Sequence, residues 1–134
     1  ENSTVTFYDG ALKLSHMFSE KTKLTASGYI SNDRFRLQGD STYRWDTYLG
    51  SLRVDHEFNS TLSSSLSVGM GSYSYDVSDQ NPATGFSLKY KITYPTAKLD
   101  FNGQLQNHKI NFGVQGIYYD FNPGTLTPSS DQSN

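Results

Sequence analysis

Three histidines, His16, His56 and His108, are the side chains best suited to acid–base or metal chemistry in this chain. Metal ligation needs several ligands converging on one point. All three fall near predicted tight turns, and each shares the parity of apolar neighbours, so an outward, interfacial position is expected for them. A hydrolase would need a Ser or Asp within hydrogen-bond reach of a His on one face. Asp55 and His56 are adjacent, so on a strand they leave opposite faces. Asp33, Asp40, Asp76 and Asp79 lie towards the other end of their strands, away from any His. Serines are abundant, yet none sits in a Gly-x-Ser-x-Gly elbow. The chain has no Cys, which removes disulfides, thiolate nucleophiles and Cys-based metal centres. Gly69-Met70-Gly71 lacks the third glycine and following helix of a phosphate loop, and reads as a relaxed strand position facing a bulky neighbour. Asp76, Asp79 and Asn81 offer oxygens for Ca²⁺ at loose spacing, which fits a solvated loop better. No catalytic residue, metal or cofactor is expected, and the protein is not read as an enzyme.

The remaining recognition chemistry is aromatic. The chain holds 10 Tyr, 8 Phe and 1 Trp. Tyr43, Arg44, Trp45, Tyr73, Tyr75, Tyr90 and Tyr94 gather towards one end of their segments, with Tyr118 and Tyr119 alongside. Rings at such a place stack on sugars or peptides, and loops carry function. These seven residues are the ligand-contact candidates; the competing reading is an interfacial aromatic girdle.

The elements that must position them are strands. Leu12, Leu14, His16 and Phe18 alternate with polar residues, as do Leu24, Ala26, Gly28 and Ile30, and the same period of two recurs nearly to residue 122. No segment carries apolar residues at helical spacing. Strands are predicted over 4–18, 22–36, 44–58, 61–79, 85–106 and 109–122. Tight turns are predicted around Glu20-Lys21, Asn59-Ser60 and Asn107-His108, all at one end. Looser connections at 37–43, Asn81-Pro82-Ala83-Thr84 and from Pro123 lie at the other. Apolar parity changes once, from even to odd positions at Pro95, where a β-bulge or kink is expected to reset the facing. Leu14-Ser-His-Met-Phe18 and Val54-Asp-His-Glu-Phe58 echo one another, each with an aromatic just before its turn.

Two faces follow. Leu12, Leu14, Phe18, Leu24, Ile30, Leu52, Val54, Phe58, Leu66, Val68, Leu99, Phe101, Ile110, Phe112 and Val114 form the apolar one, read as facing lipid. Lys13, Ser15, Thr25, Ser27, Ser51, Arg53, Asp55, Ser63, Ser65, Ser67, Lys98, Asp100, Asn102, Asn111 and Gln115 form the polar one. In a soluble sandwich the polar face would meet water; in a barrel it would line the interior. The strands exceed the roughly 9–11 residues needed to cross a bilayer. Net charge is −2 with a pI near 5.8, so nothing favours a nucleic-acid partner. Mean hydropathy of −0.62 is compatible with a membrane barrel, which shows only every second residue to lipid. Six strands are too few to close, since outer-membrane barrels start at about 8. The chain is thus expected to be a section of a larger barrel. The alternatives are a self-contained small β-barrel or sheet binding module, or a structural outer-membrane protein that closes by oligomerising.

Tyr8-Asp-Gly-Ala-Leu-Lys-Leu-Ser-His-Met-Phe18 with Leu24-Thr-Ala-Ser-Gly-Tyr29 resembles barrel strands of TonB-dependent outer-membrane receptors of the Bacteroidetes type. So do Arg44-Trp45 with Tyr48–Phe58, and Asn107–Gly124. The resemblance spans three consecutive hairpins and implies an antiparallel transmembrane β-barrel with short periplasmic turns and longer extracellular loops. It implies a 22-stranded barrel plugged by an N-terminal domain. It also implies uptake of a nutrient (glycan, peptide or metal chelate) energised by the TonB complex through that plug. The plug and TonB box are outside this chain, which would supply barrel wall and extracellular loop in the cell outer membrane. Outer-membrane lipid, lipopolysaccharide and a surface lipoprotein are the implied partners. Arg34, Arg36 and Arg44 either clamp lipopolysaccharide phosphates or pair with Asp33 and Asp40.

Overall fold

The computed structural model describes residues 3–36, 41–79, 85–124 and 126–128, and within them every regular element is a strand. β1 (Thr4–Ser19), β2 (Thr22–Arg36), β3 (Ser41–Asn59), β4 (Leu62–Asp79), β5 (Phe86–Leu105) and β6 (His108–Ile117) follow one another across an antiparallel sheet. β7 (Asp120–Asn122) and β8 (Leu126–Pro128) continue along β5 beyond the end of β6. The predicted sixth strand, 109–122, is therefore two pieces, β6 and β7, and β8 lies beyond its predicted end. The tips at 37–40 and 80–84, with Asp40 and Asn81, lie outside the described residues.

The three tight turns share one end of the sheet. Ser19 pairs Thr22, Asn59 pairs Leu62, and Leu105 pairs His108. The second and third turns thus sit at Ser60-Thr61 and Gln106-Asn107, each one residue from its predicted place. Gln106 adopts φ 52°, in the left-handed region that primed two-residue hairpin turns use. Asn59 closes its turn by accepting from the Thr61 amide and hydroxyl at 2.9 and 2.8 Å. The echo seen in the sequence is structural. In both hairpins the register slips at the aromatic, leaving Phe18 and Phe58 as bulged residues. His16 meets Phe18 edge-on at 4.9 Å, and His56 meets Phe58 likewise at 4.7 Å.

Across the rest of β1 to β6 the register is continuous, and it shows where the faces lie. On one side run the rows Leu14–Ala26–Leu52–Val68–Ala97–Gly116 and Leu24–Val54–Leu66–Leu99–Val114. On the other run Ser15–Thr25–Arg53–Ser67–Lys98–Gln115 and Lys23–Asp55–Ser65–Asp100–Gly113. All fifteen predicted lipid-facing residues belong to the first side. All fifteen polar ones belong to the second.

The expected reset at Pro95 is overturned. Met70 pairs Pro95 and Gly71 pairs Tyr94 with no slip between them, so β5 passes the proline without a bulge. What changes is the sequence pattern, and it changes on nearly every strand. Towards the loop end the apolar side becomes polar, in rows such as Tyr8–Asn32–Asp46–Ser74–Lys91. The polar side there becomes aromatic. Pro95 acts on its neighbour instead. Its carbonyl accepts from Tyr118 N at 3.1 Å, but it has no N–H to return, and β6 stops at Ile117. A second irregularity lies at Gly124, whose φ of +82° and close approach to the Lys89 carbonyl accompany the register shift between β7 and β8.

The sheet is a single layer with almost no core. Among the described residues Val77 is the one buried apolar side chain, while Leu12, Leu14, Phe112 and Val114 are all more than 60 % exposed. Total accessible surface is 10154 Å². A compact 15.0 kDa protein exposes about 7,000 Å², so the open sheet exposes roughly 3,000 Å² more than a compact fold would. β1 and β6 make no contact with one another, and the sheet stays open with two unpaired edges.

Candidate functional site

On the polar side, above the row Lys13–Ser27–Ser51–Gly69–Thr96, the side chains turn aromatic over three successive rows. The first is Tyr29–Leu49–Gly71–Tyr94, the second Ser31–Thr47–Tyr73–Ile92–Phe121, the third Phe7–Asp33–Trp45–Tyr75–Tyr90. The rings touch in a chain that crosses four strands. Phe35 lies 6.4 Å from Tyr43, Tyr43 6.4 Å from Trp45, Trp45 5.4 Å from Tyr75, and Tyr75 6.4 Å from Tyr90. Interplanar angles of 14–36° keep them near parallel. A second run joins Tyr94 to Tyr119 at 6.1 Å and Tyr119 to Phe121 at 5.9 Å.

Cross-strand pairing puts rings about 5 Å apart, within the range in which aromatic pairs attract beyond their buried area. Glycine opens the remaining space. The Tyr94 ring lies over Gly71 where a β-carbon would stand, the bulky neighbour that the glycine pair led us to expect. Between the two runs, Trp45, Tyr73, Tyr75, Tyr90, Ile92 and Phe121 line an open trough of 520 Å³. The Tyr75 phenol, stacked on Tyr90 and beside Trp45, is a hydroxyl that can both donate and accept. The trough offers ring surface and phenol hydroxyls, with a polar sheet surface below it.

Six of the seven ligand-contact candidates, Tyr43, Trp45, Tyr73, Tyr75, Tyr90 and Tyr94, are brought to this face. Arg44 is not: it stands on the opposite side, with Nε 3.0 Å from Asp46 Oδ2. Tyr8 and Tyr48 stand instead on the apolar side near its upper limit, and Tyr118 follows β6 with its amide on the Pro95 carbonyl. Tyr119, named beside the candidates from the sequence, completes the lane with Phe35 and Phe121, which the sequence reading did not single out. Their odd parity, shared with Tyr43 and Trp45 across the register, was the available signal.

Below the lane the polar side is internally bonded. Arg53 donates to Asp55 at 2.8 Å and to Ser65 at 3.0 Å, and Ser65 donates to Asp55. Ser15 meets Thr25 at 3.0 Å, and Lys98 reaches Asp100 at 2.9 Å. His16 and His56 lie on the apolar side, His56 with Nδ1 2.8 Å from Thr22 Oγ1. Asp76 and Asp79 point to opposite sides of β4. Among the described residues no three acidic or histidine side chains gather around one point. No family model matches the chain, and no curated protein matches it.

Proposed function

We propose that this chain is a section of the wall of a transmembrane β-barrel, of the TonB-dependent receptor kind, that carries a nutrient across the outer membrane without catalysing a reaction. The observation that carries the reading is the matched inversion of the two sides. The apolar side runs from the turns up to Tyr48 and Ile30 and then becomes polar. From Phe58 to Tyr48 is about 10 residues, or ~34 Å of strand and about 25 Å of height at a ~45° tilt, the thickness of a bilayer core. A soluble sheet has no reason to bound its exposed apolar side at that height.

The opposite side inverts in the complementary sense. It is polar at membrane depth, where it would line a water-filled or plugged lumen, and aromatic above, where it would line the outer vestibule. Ligand arriving from outside would meet the lane first. The open edges of β1 and β6 call for neighbouring strands, because unpaired backbone groups cost several kcal/mol each in lipid. Energy would come through a plug and TonB, both outside this chain.

The test is to recover the native polypeptide from its source and weigh it. A species several times 15.0 kDa, extracted from the outer membrane only by detergent and transporting its nutrient only while the membrane is energised, is expected. A species of about that mass that stays soluble without detergent overturns the reading.

A further inference from the structure

We propose that the aromatic trough binds a quaternary ammonium group, held on the rings of Trp45, Tyr75 and Tyr90 with Asp33 as its counter-charge. The inference rests on the barrel reading above and names the class of ligand that the outer vestibule takes.

Charge divides the upper sheet by side. Above the row Lys13–Ser27–Ser51–Gly69–Thr96, every Lys and Arg among the described residues stands on the side opposite the lane: Arg34, Arg36, Arg44, Lys89 and Lys91. The charged residues of the lane side there are acids, Asp9, Asp33 and Asp79 among the described residues. Asp33, which the sequence allowed to pair with Arg34 or Arg36, leaves the other face of the strand from both. It opposes Trp45 directly across β2 and β3, with Phe7 on its other flank. The β-carbons of such partners are about 5 Å apart, inside the ~8 Å over which charges act at physiological salt. An anion would find no positive side chain on this side above Lys13.

The rings supply the attraction. Trp45, Tyr73, Tyr75, Tyr90 and Phe121 bring five rings from four strands to one open trough of 520 Å³. A cation within about 6 Å of a ring centroid is drawn to the negative face of the ring, most strongly for Trp. Trp45 and Tyr75 have centroids 5.4 Å apart, and Tyr75 and Tyr90 6.4 Å, so one ligand can lie within that range of two rings together.

The trough suits a quaternary ammonium better than the other small ligands it could meet. Inorganic cations need several oxygens converging on one point, and among the described residues no three acidic or histidine side chains gather so. A sugar buries many hydroxyls, each of which needs a partner. The polar side chains lining the trough are three phenols, the Trp45 indole and Asn122, and the Asn122 side-chain carbonyl already accepts from Gly124 N at 3.3 Å. A quaternary ammonium carries no N–H, so it leaves no donor unsatisfied against the rings.

The experiment titrates the full-length receptor in detergent with choline and with the uncharged alcohol in which carbon replaces the choline nitrogen. Calorimetry should show choline binding at least about tenfold more tightly, the worth of one desolvated cation–π contact. Trp45→Leu should weaken choline by about tenfold and leave the alcohol nearly unchanged. Asp33→Asn keeps the shape of the side chain and should weaken choline alone, about threefold, while removing most of its dependence on salt. Equal binding of choline and the alcohol overturns the cation and leaves a merely apolar trough. Binding of maltose with both probes silent overturns it in favour of a sugar, and silence of all three at millimolar concentration overturns it outright. Each of these outcomes leaves the barrel reading standing, which falls instead if the receptor fails to float with phosphatidylcholine vesicles.

Discussion

Tyr94 lays its ring over Gly71, its direct partner across β4 and β5, and so closes the lower edge of the aromatic lane. The pair joins a residue chosen for its ring to one chosen for having no side chain. Gly71→Ala must displace the far end of the Tyr94 ring, which then loses its 6.1 Å contact with Tyr119. The backbone needs no rearrangement, so the cost falls on the ring. A double-mutant cycle with Gly71→Ala and Tyr94→Ala, read by thermal unfolding in detergent, should give a coupling of about 0.5–1.5 kcal/mol. Additive costs would mean that the ring does not depend on the glycine.

The inversion of the two sides makes a second prediction, which compares adjacent residues. Leu52 and Ser51 are neighbours in β3 on opposite sides of the sheet. Leu52→Arg places a charge in the middle of the apolar band and should cost about 2–4 kcal/mol of stability in a bilayer. Ser51→Arg enters the polar side and should cost less than about 1 kcal/mol. In the upper half the order reverses: Tyr43→Arg should be worse than Thr42→Arg. Equal costs in the lower pair, measured by denaturant unfolding from vesicles, would contradict a lipid-facing band.

Trp45 allows the facing to be read optically. It belongs to the lane, across from Tyr75 and on the side opposite Leu52. In vesicles, the emission that Trp45→Phe removes should be quenched by aqueous acrylamide and indifferent to lipids brominated on their acyl chains. A tryptophan introduced by Phe112→Trp should behave the other way, since Phe112 is 62 % exposed on the apolar side. Bromine quenching of Trp45 would place the lane in the lipid and make it a girdle.

The strands and their two sides were legible because period-two alternation needs nothing beyond neighbours in sequence. Leu52 next to Arg53, and Leu66 next to Ser67, state their sides outright. The height at which the sides exchange was not legible in that way. Read along β5 alone, the change from Tyr94 to Ala97 looked like a slip at Pro95. Set beside Trp45 and Tyr48 on β3, or Tyr73 and Met70 on β4, it is one boundary crossing the sheet at a constant level. Only the register connects those residues. The same holds for Arg44: its sequence neighbours are lane residues, yet alternation sends it to the other side, where Asp46 holds it.

Pro95 carries the last prediction. Antiparallel pairing lets a residue give and accept with one partner, and Pro95 only accepts, from Tyr118 N. Tyr118 and Tyr119 then interrupt what would be one strand from His108 to Asn122. Pro95→Ala supplies the missing donor at a position whose register is already correct on both sides, opposite Met70 and Tyr118. The new bond should stabilise the β5–β6 edge by about 1 kcal/mol and slow amide exchange at Tyr118–Asp120 about fivefold. It should also hold Tyr119 more firmly against Tyr94, narrowing the motion of the lane at its lower edge. If exchange at Tyr118–Asp120 is unchanged while the amide of the introduced alanine is itself protected, the interruption has another cause than the proline, and the lane's geometry there is set by the rings alone.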